Sequence, residues 1–522
     1  GIDPEKVPRK ASWELGVKLA DDMIAQHLAE HGEYPRKISF VIWGDETMRH
    51  EGVLESQIFH LLGTRPVWDA RDKVVGVEVV PSAQLGRPRI DILIASAAEG
   101  MFNNVTVLMD QAVQKVKALE EAENFVRDHY LATKAALIKM GYSEDDADRR
   151  AGVRIFDEPP GVHNLNTGNI AGASGSWDSD VGMANDYINK MGHGFGNGFW
   201  GEPMQDTFKL ALEGVEKVVH SSSTMLYGAL DNDDFFMYMG GLAASVRTVS
   251  GVNPELMVTN TRDPANPEMA SLDKFIASEF STRYINPAWI EGMQAEGYAG
   301  ARTMVEFVEY MWGWDATVSE VVDDRMWQET FEVYVQDKHD MGMREFFETE
   351  SPYAFQDVAA RMLEVIRKDY WQADADTRNE LLQRYVASVN EFGINCTEVS
   401  CGNPRLMEFV LEQGRIGEIP AIDLDAFRAA VENAIRGSIE QLAEAQAAFA
   451  SSNDARIASQ FQNTQGPSEL SGFRMTQVER SSVVQQQTRT LPASSLSMSL
   501  LLQGLVVLAL LLWWWRRRQQ VG

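Results

Sequence analysis

The chain has 522 residues, 44% of them hydrophobic and 9% aromatic, an ordinary globular composition with length for two to four domains. It carries 76 acidic and 47 basic residues, a net charge of −29, and such a field repels phosphate backbones and excludes general nucleic-acid binding. The acidity is spread along the chain, as on a solvated surface.

The chain opens on Gly1 rather than methionine, the start expected of a fragment or a processed product. Within residues 1–35, Leu15, Leu19, Met23 and Leu28 fall near helical spacing. His27 and His31 stand four apart on that helix, a spacing that suits metal ligands. No HExxH pattern accompanies them, so an exposed helical face outweighs a metal site by roughly five to one. Ile38 to Trp43 (ISFVIW) predicts a buried strand, followed by a polar loop, DETMRHEG, and a helix from Val53 to Leu62. That order sets Asp45, Glu46, Arg49, His50 and Glu51 at the carboxyl end of a strand, where α/β sheets hold ligands and where a solvated loop is an equal expectation.

Val74 to Val80 and Ile90 to Ala95 predict further strands, with Arg87 and Arg89 in the turn LGRPRID between them. Helical patterns follow at 103–119, 121–140 and 144–153, the last opened by a Ser143 cap. This alternation gives a doubly wound α/β first half.

Residues 156–202 then form a glycine-rich stretch. Ten of the 40 glycines lie between Gly161 and Gly201, together with His163, His193, Asn164, Asn166, Trp177 and Trp200. Its aromatic residues argue against plain disorder, and the expectation is a mobile loop system closing over a large ligand. A helix at about 203–220 follows, then DNDDFFMYMGG, in which Asp231, Asp233 and Asp234 can bind a cation or hold a proton, or simply cap a helix. A short strand, 255–259, precedes a mainly helical region to about 445. Cys396 and Cys401, the only cysteines, suit a local disulfide or two separate thiols and make a poor zinc motif.

Residues 449–495 are rich in Ser, Gln, Thr and Asn and read as a linker. Residues 496–515 carry no charge, end in three tryptophans and are followed by Arg516, Arg517 and Arg518. This is the pattern of a single membrane-spanning helix with its basic tail, 516–522, in the cytoplasm and the folded body outside it. The expected divisions are therefore an α/β domain (1–160), a glycine-rich and acidic substrate region (161–250), a helical region (251–448), the linker, the span and the tail. No GxxxxGK[ST] occurs, so no nucleotide site is expected, and no GxSxG nucleophile elbow is present.

Several segments, in order, resemble the large subunit of tetrapyrrole metal chelatases, the family of CobN and the large magnesium chelatase protein. They are FVIWGDETMRHEG (40–52), LGRPRIDILI (85–94), NFVRDH (124–129), RIFDEPPG (154–161), DFFMYMGG (234–241), INPAWIEGM with GYAGAR (285–302), WGWDAT (312–317) and SGFRM (471–475). The resemblance covers the C-terminal part of that longer polypeptide. It implies a chain that binds a tetrapyrrole, corrinoid or porphyrin, and inserts a divalent metal ion, cobalt, magnesium or iron, with AAA+ ATPase partner subunits driving the reaction.

The chemistry asks for metal ligands, a base for the pyrrole protons and a covering loop. His163, His193 and Asp233 are the catalytic candidates; His163, His193 and Glu202 the metal ligands; Asn164, Asn166, Trp177, Arg87, Arg89 and Trp200 the substrate contacts. The chain departs from the family loop after the proline-glycine, where it has VHNLNTGN in place of a tyrosine-led sequence. The anchored layout also fits two other expectations, a periplasmic enzyme removing metal from haem or a related tetrapyrrole, and a non-enzymatic tetrapyrrole carrier coupled to uptake.

Overall fold

Runs of β-branched and aromatic residues build an eight-stranded sheet, around which the helices of the described residues are packed. The computed structural model describes residues 2–97 and 100–462, which fall in one compact unit. The strands are β1 (Lys37–Trp43), β2 (Thr64–Trp68), β3 (Val74–Val79), β4 (Asp91–Ala97), β5 (Ile155–Asp157), β6 (His193–Gly196), β7 (Phe199–Pro203), β8 (Lys217–Ser222), β9 (Glu255–Asn260) and β10 (Glu268–Ser271). Their order is β10-β9-β8-β1-β4-β5-β6-β7, with β2 and β3 paired separately as a hairpin. Strands β9, β8, β1, β4 and β5 are mutually parallel, and the antiparallel β10, β6 and β7 close the two edges.

The parallel strands are apolar on both faces because helices cover both. Phe40, Ile42, Ile92, Ile94 and Val219 face one layer, formed by helices Lys10–His31, Val53–Leu61 and Asn103–Lys117. Val41, Leu93, Ala95, Val218 and Val258 face the other, where Val181–Met191, Gln205–Leu212 and Gly241–Ser250 join the helical half of the chain. That half contains helices capped as their sequences specify. Asn286, Asp323, Ser351, Asp374 and Asn403 each accept a hydrogen bond from a backbone N–H of the turn they precede.

The mixed α/β architecture agrees with the sequence expectation, and several local expectations need correction. DETMRHEG is largely helical, Gly44–His50, because Trp43 leads directly into it with Asp45 and Glu46 in the first turn. The helix expected at 203–220 stops at Leu212; KVVHSS becomes β8, buried along its whole length between β1 and β9. Residues 449–462, expected to begin a linker, continue helix Ile439–Gln462, whose Ala450 and Ile457 are buried. Cys396 and Cys401 are joined in a disulfide. Among the described residues no helix is long and apolar enough to cross a membrane. The segment expected to span one, 496–515, lies outside them.

Candidate functional site

The glycine-rich stretch is a set of short elements rather than one loop. It contains helices Thr167–Gly172 and Val181–Met191 and the β6–β7 hairpin. Gly196, Asn197 and Gly198 turn that hairpin with φ of 98°, 50° and 85°, a left-handed run in which glycine is unstrained. Three side chains hold the end of helix Thr167–Gly172: Trp177 Nε1 donates to the Ile170 carbonyl (2.7 Å), Trp312 Nε1 to that of Ala171 (2.8 Å) and Arg361 Nη2 to that of Gly172 (3.1 Å). These satisfy carbonyls that a helix terminus otherwise leaves open. Where a mobile loop system was expected, the stretch is built of short regular elements, and the end of helix Thr167–Gly172 is held by these three side chains.

The carboxyl ends of β1, β5 and β8 meet at one edge of the sheet, where parallel α/β proteins place their ligands. Glu158, the residue after β5, is the hub. It is 2% exposed. Its Oε1 accepts from the Asn164 backbone N–H (2.6 Å) and its Oε2 from the Tyr238 hydroxyl (3.4 Å), while His163 Nδ1 lies 3.9 Å from Oε2. His193, at the start of β6, feels the same carboxylate. Burial lowers the pKa of His193, leaving its imidazole neutral at pH 7, and its Nδ1 donates to the Lys190 carbonyl (3.0 Å).

Tyr238 sits in a π-turn, Phe236–Gly240, within the helix that runs from Asp233 to Ser250; such turns often occur at functional sites. The next residue, Gly241, lies where a Cβ would meet the Tyr187 ring at 2.6 Å, so this helix can pack here only without a side chain. Burial, then Glu158 and Asp234, raise the Tyr238 phenol far above its usual value and keep it a proton donor. The Tyr238 ring is 6.1 Å from that of Trp43, which also meets His220 at 4.3 Å and Phe235 at 5.6 Å.

Negative charge concentrates beside these aromatic rings. The Asp234 carboxyl is raised by desolvation and by Asp233, Asp45 and Glu158. Asp186, which accepts from the Asn166 backbone N–H (2.9 Å), is raised by burial. Arg49 balances part of this charge, binding Asp45 and Glu46 at 2.7 Å each and donating to Ser223 Oγ beyond β8 (3.3 Å). Behind the strand end, His220 Nδ1 donates to the Val41 carbonyl (2.8 Å), and burial lowers its pKa to about 4. The negative charge of this pocket suits a cation, and its raised carboxyls, beside the neutral His193 imidazole, can take protons.

The other candidates divide between this site, its margin and the core. Asp233 lines a neighbouring cavity of about 340 Å³ with Gly168, Asn169, Met237 and Tyr310. Asn164 and Asn166 contribute backbone N–H groups to carboxylates, and the Asn166 side chain accepts from Asn169 (2.7 Å). The ligand set His163, His193 and Glu202 is not brought together. Glu202 pairs across the hairpin with Gly194, while His193 pairs with Pro203, so the two side chains point to opposite faces. The Glu202 carboxylate turns back onto the Trp200 N–H.

Three residues expected to touch substrate are structural. Trp177 is buried, stacked 6.0 Å from Trp312 under the Lys368 ammonium. Arg89 is 1% exposed, paired with Glu121 (2.6 Å) and donating to the carbonyls of Leu62, Gly63 and Val80. Arg87 donates to the carbonyls of His60, Leu61 and Pro88. Their positive charge is used inside the fold, which a turn-like sequence around Pro88 conceals. Trp200 is 40% exposed and packs edge-on against Phe195. Sequence reasoning passed over Glu158, Tyr238 and Trp43 as site residues, although each lies in a segment quoted for the resemblance. The usable signal for Glu158 was a polar pair, Asp-Glu, ending an apolar run.

The chain is thus an α/β protein with an acidic, histidine-bearing candidate site at the carboxyl edge of its sheet. The CobN/Magnesium Chelatase profile matches residues 1–378, and the chain belongs to that family. It is 32% identical over 400 residues to the aerobic cobaltochelatase protein CobN of Pseudomonas aeruginosa, covering 75% of this chain and 31% of that one. It is 36% identical to an uncharacterised protein of Methanocaldococcus jannaschii (74% and 31% covered) and 31% identical to the CobN of a Sinorhizobium species (71% and 29%). The catalytic subunit of cobaltochelatase from Mycobacterium tuberculosis shares the fold with a TM-score of 0.69 at 32% identity, covering 74% of this chain and 32% of that one. The chain spans about a third of the length of the relatives it matches.

Proposed function

We propose that this chain acts as a CobN-type chelatase segment that transfers a divalent metal ion, cobalt, magnesium or iron, between solvent and a tetrapyrrole at the carboxyl edge of the sheet. The observation that carries the reading is the Glu158 cluster. One buried carboxylate lies 3.9 Å from His163 and acts electrostatically on His193, with a phenol and an aromatic wall beside it, in a member of the chelatase family. The macrocycle lies against Trp43 and Tyr238. Glu158, His163 and His193 hand the incoming metal to the pyrrole nitrogens. Two pyrrole protons leave as the metal enters, and Glu158 and Asp234 receive them. The net negative charge of the pocket draws the cation in. Asp233 and the side chains of Asn164 and Asn166 border the macrocycle where residues 161–172 cover it. Partner ATPase subunits supply the driving force for insertion.

A second reading is favoured by the charge-free run 496–515 with Arg516, Arg517 and Arg518, and by the Cys396–Cys401 disulfide. Both suit a membrane-anchored body outside the cytoplasm, where ATP is absent and metal removal, or carriage of the macrocycle, is the working direction. Both directions use the same residues.

The test is the metal content of a tetrapyrrole, read from its absorption spectrum after incubation with the full chain, with and without ATP and ATPase partners. Wild type should alter the metal content. Glu158→Gln should bind the macrocycle and slow the transfer by about 100-fold or more. Equal transfer by both proteins would remove Glu158 from the mechanism, and binding without any transfer by wild type would leave a carrier.

A further inference from the structure

A second cluster lies at the opposite, amino edge of the sheet. His27 and His31 occupy the last turns of helix Lys10–His31, four residues apart and on one face, with ring centroids 4.3 Å apart. His27 is 5% exposed, so the exposed face expected from sequence is corrected, and its Nδ1 has no hydrogen-bond partner. Glu255 opens β9, in register with Lys217 on β8. One donor atom each from His27, His31 and Glu255 lies within 4.8 Å of the other two, and among the described residues no other three such side chains converge so closely.

We propose that His27, His31 and Glu255 form a second divalent-cation site, separate from the tetrapyrrole site, that takes Zn²⁺, Co²⁺ or Ni²⁺. Two imidazoles and one carboxylate make a donor set that these borderline ions favour and that Mg²⁺ and Ca²⁺, which prefer all-oxygen ligands, do not. Three protein ligands leave open positions for water. A buried, unpartnered imidazole nitrogen is costly unless something binds it, and a cation supplies that partner. Without the ion, the Glu255 carboxylate pairs with the Lys217 ammonium. The ion takes over that carboxylate, and Lys217 keeps Glu216 and Glu30 as electrostatic partners. Glu216, 3.7 Å from His27 Nε2, adds negative charge at the rim. Binding clips the N-terminal helix to the start of β9, two elements far apart in the chain, and so stabilises the first helical layer. The site stands independently of the proposed chelatase reaction.

The experiment is a titration of the metal-stripped full chain with Co²⁺, followed by its visible d–d absorption, with Zn²⁺ then added in competition. Three variants are compared with wild type: His31→Ala, at an exposed position; Glu255→Gln; and Glu158→Gln as a control at the other site. Glu158→Gln, which removes a donor from the other site only, should keep the low-symmetry cobalt bands that depend on His31. His31→Ala should lose them and weaken binding by more than about 100-fold, with Glu255→Gln intermediate. Zn²⁺ should raise the thermal midpoint of wild type and of Glu158→Gln more than that of His31→Ala. Identical cobalt spectra and affinities in wild type and His31→Ala, or loss of the bands in Glu158→Gln alone, would overturn the assignment.

Discussion

Replacing Glu55 by glutamine should stabilise the protein in alkaline solution. Glu55 is 1% exposed, on the helix that follows the Gly44–His50 turn. Thr47 donates to its Oε1, and its Oε2 has no partner. Burial raises its pKa from 4.5 to about 7, against the Thr47 hydrogen bond. The folded chain therefore holds this proton more tightly than the unfolded chain does. The resulting stability is fully present below about pH 4.5 and is lost as the pH rises through about 7. At ~1.4 kcal/mol per tenfold change in proton affinity, ionised Glu55 costs about 3 kcal/mol at pH 8. Glutamine keeps the shape and the acceptor for Thr47 without the charge. Urea unfolding followed by tryptophan fluorescence should show Glu55→Gln about 3 kcal/mol more stable than wild type at pH 8 and within about 1 kcal/mol of it at pH 5. A difference that is the same at both pH values, or a variant less stable at pH 8, would refute the reasoning.

The core and surface roles of the two tryptophans separate cleanly: Trp177→Ala should cost about 3–5 kcal/mol in urea unfolding, while Trp200→Ala should stay within about 0.5 kcal/mol of wild type. Arg89→Ala strands Glu121 and three carbonyls and should destabilise by about 3–5 kcal/mol in the same assay, with no selective loss of tetrapyrrole binding in the protein that remains folded. Tyr238→Phe removes one donor to Glu158, so tetrapyrrole binding measured by fluorescence quenching should persist while metal transfer slows by about 10-fold.

What the sequence made legible was periodicity and punctuation. ISFVIW and ELMVT are short, apolar and β-branched, and they are β1 and β9 within a residue or two. Ser143 caps its helix through the Asp146 N–H (3.1 Å), as its spacing predicts. KVVHSS was missed because it directly follows a helix and is too short to announce a period of its own. The three-residue β5 was missed for the same reason, although both are buried between neighbours and owe their strand form to that pairing.

The site was legible as a region and less so by residue. His163 Nδ1 lies 3.9 Å from Glu158 and His193 feels the same carboxylate electrostatically, while Glu202 is apart from His193 because β6 and β7 pair in a register that sets the two on opposite faces. Composition cannot separate an aromatic platform from a core aromatic, and Trp177 is the latter. Nor can it show whether an arginine meets a ligand or, like Arg89, a ring of backbone carbonyls.

A structure of the full chain with a metal-free tetrapyrrole bound is the most direct measurement. The macrocycle should lie against Trp43 and Tyr238, its pyrrole nitrogens within reach of Glu158 and His163. A macrocycle seated instead in the roughly 710 Å³ cavity of the helical half, among Tyr334, Phe347 and Phe355, would contradict the assignment of the carboxyl edge as the site of metal transfer.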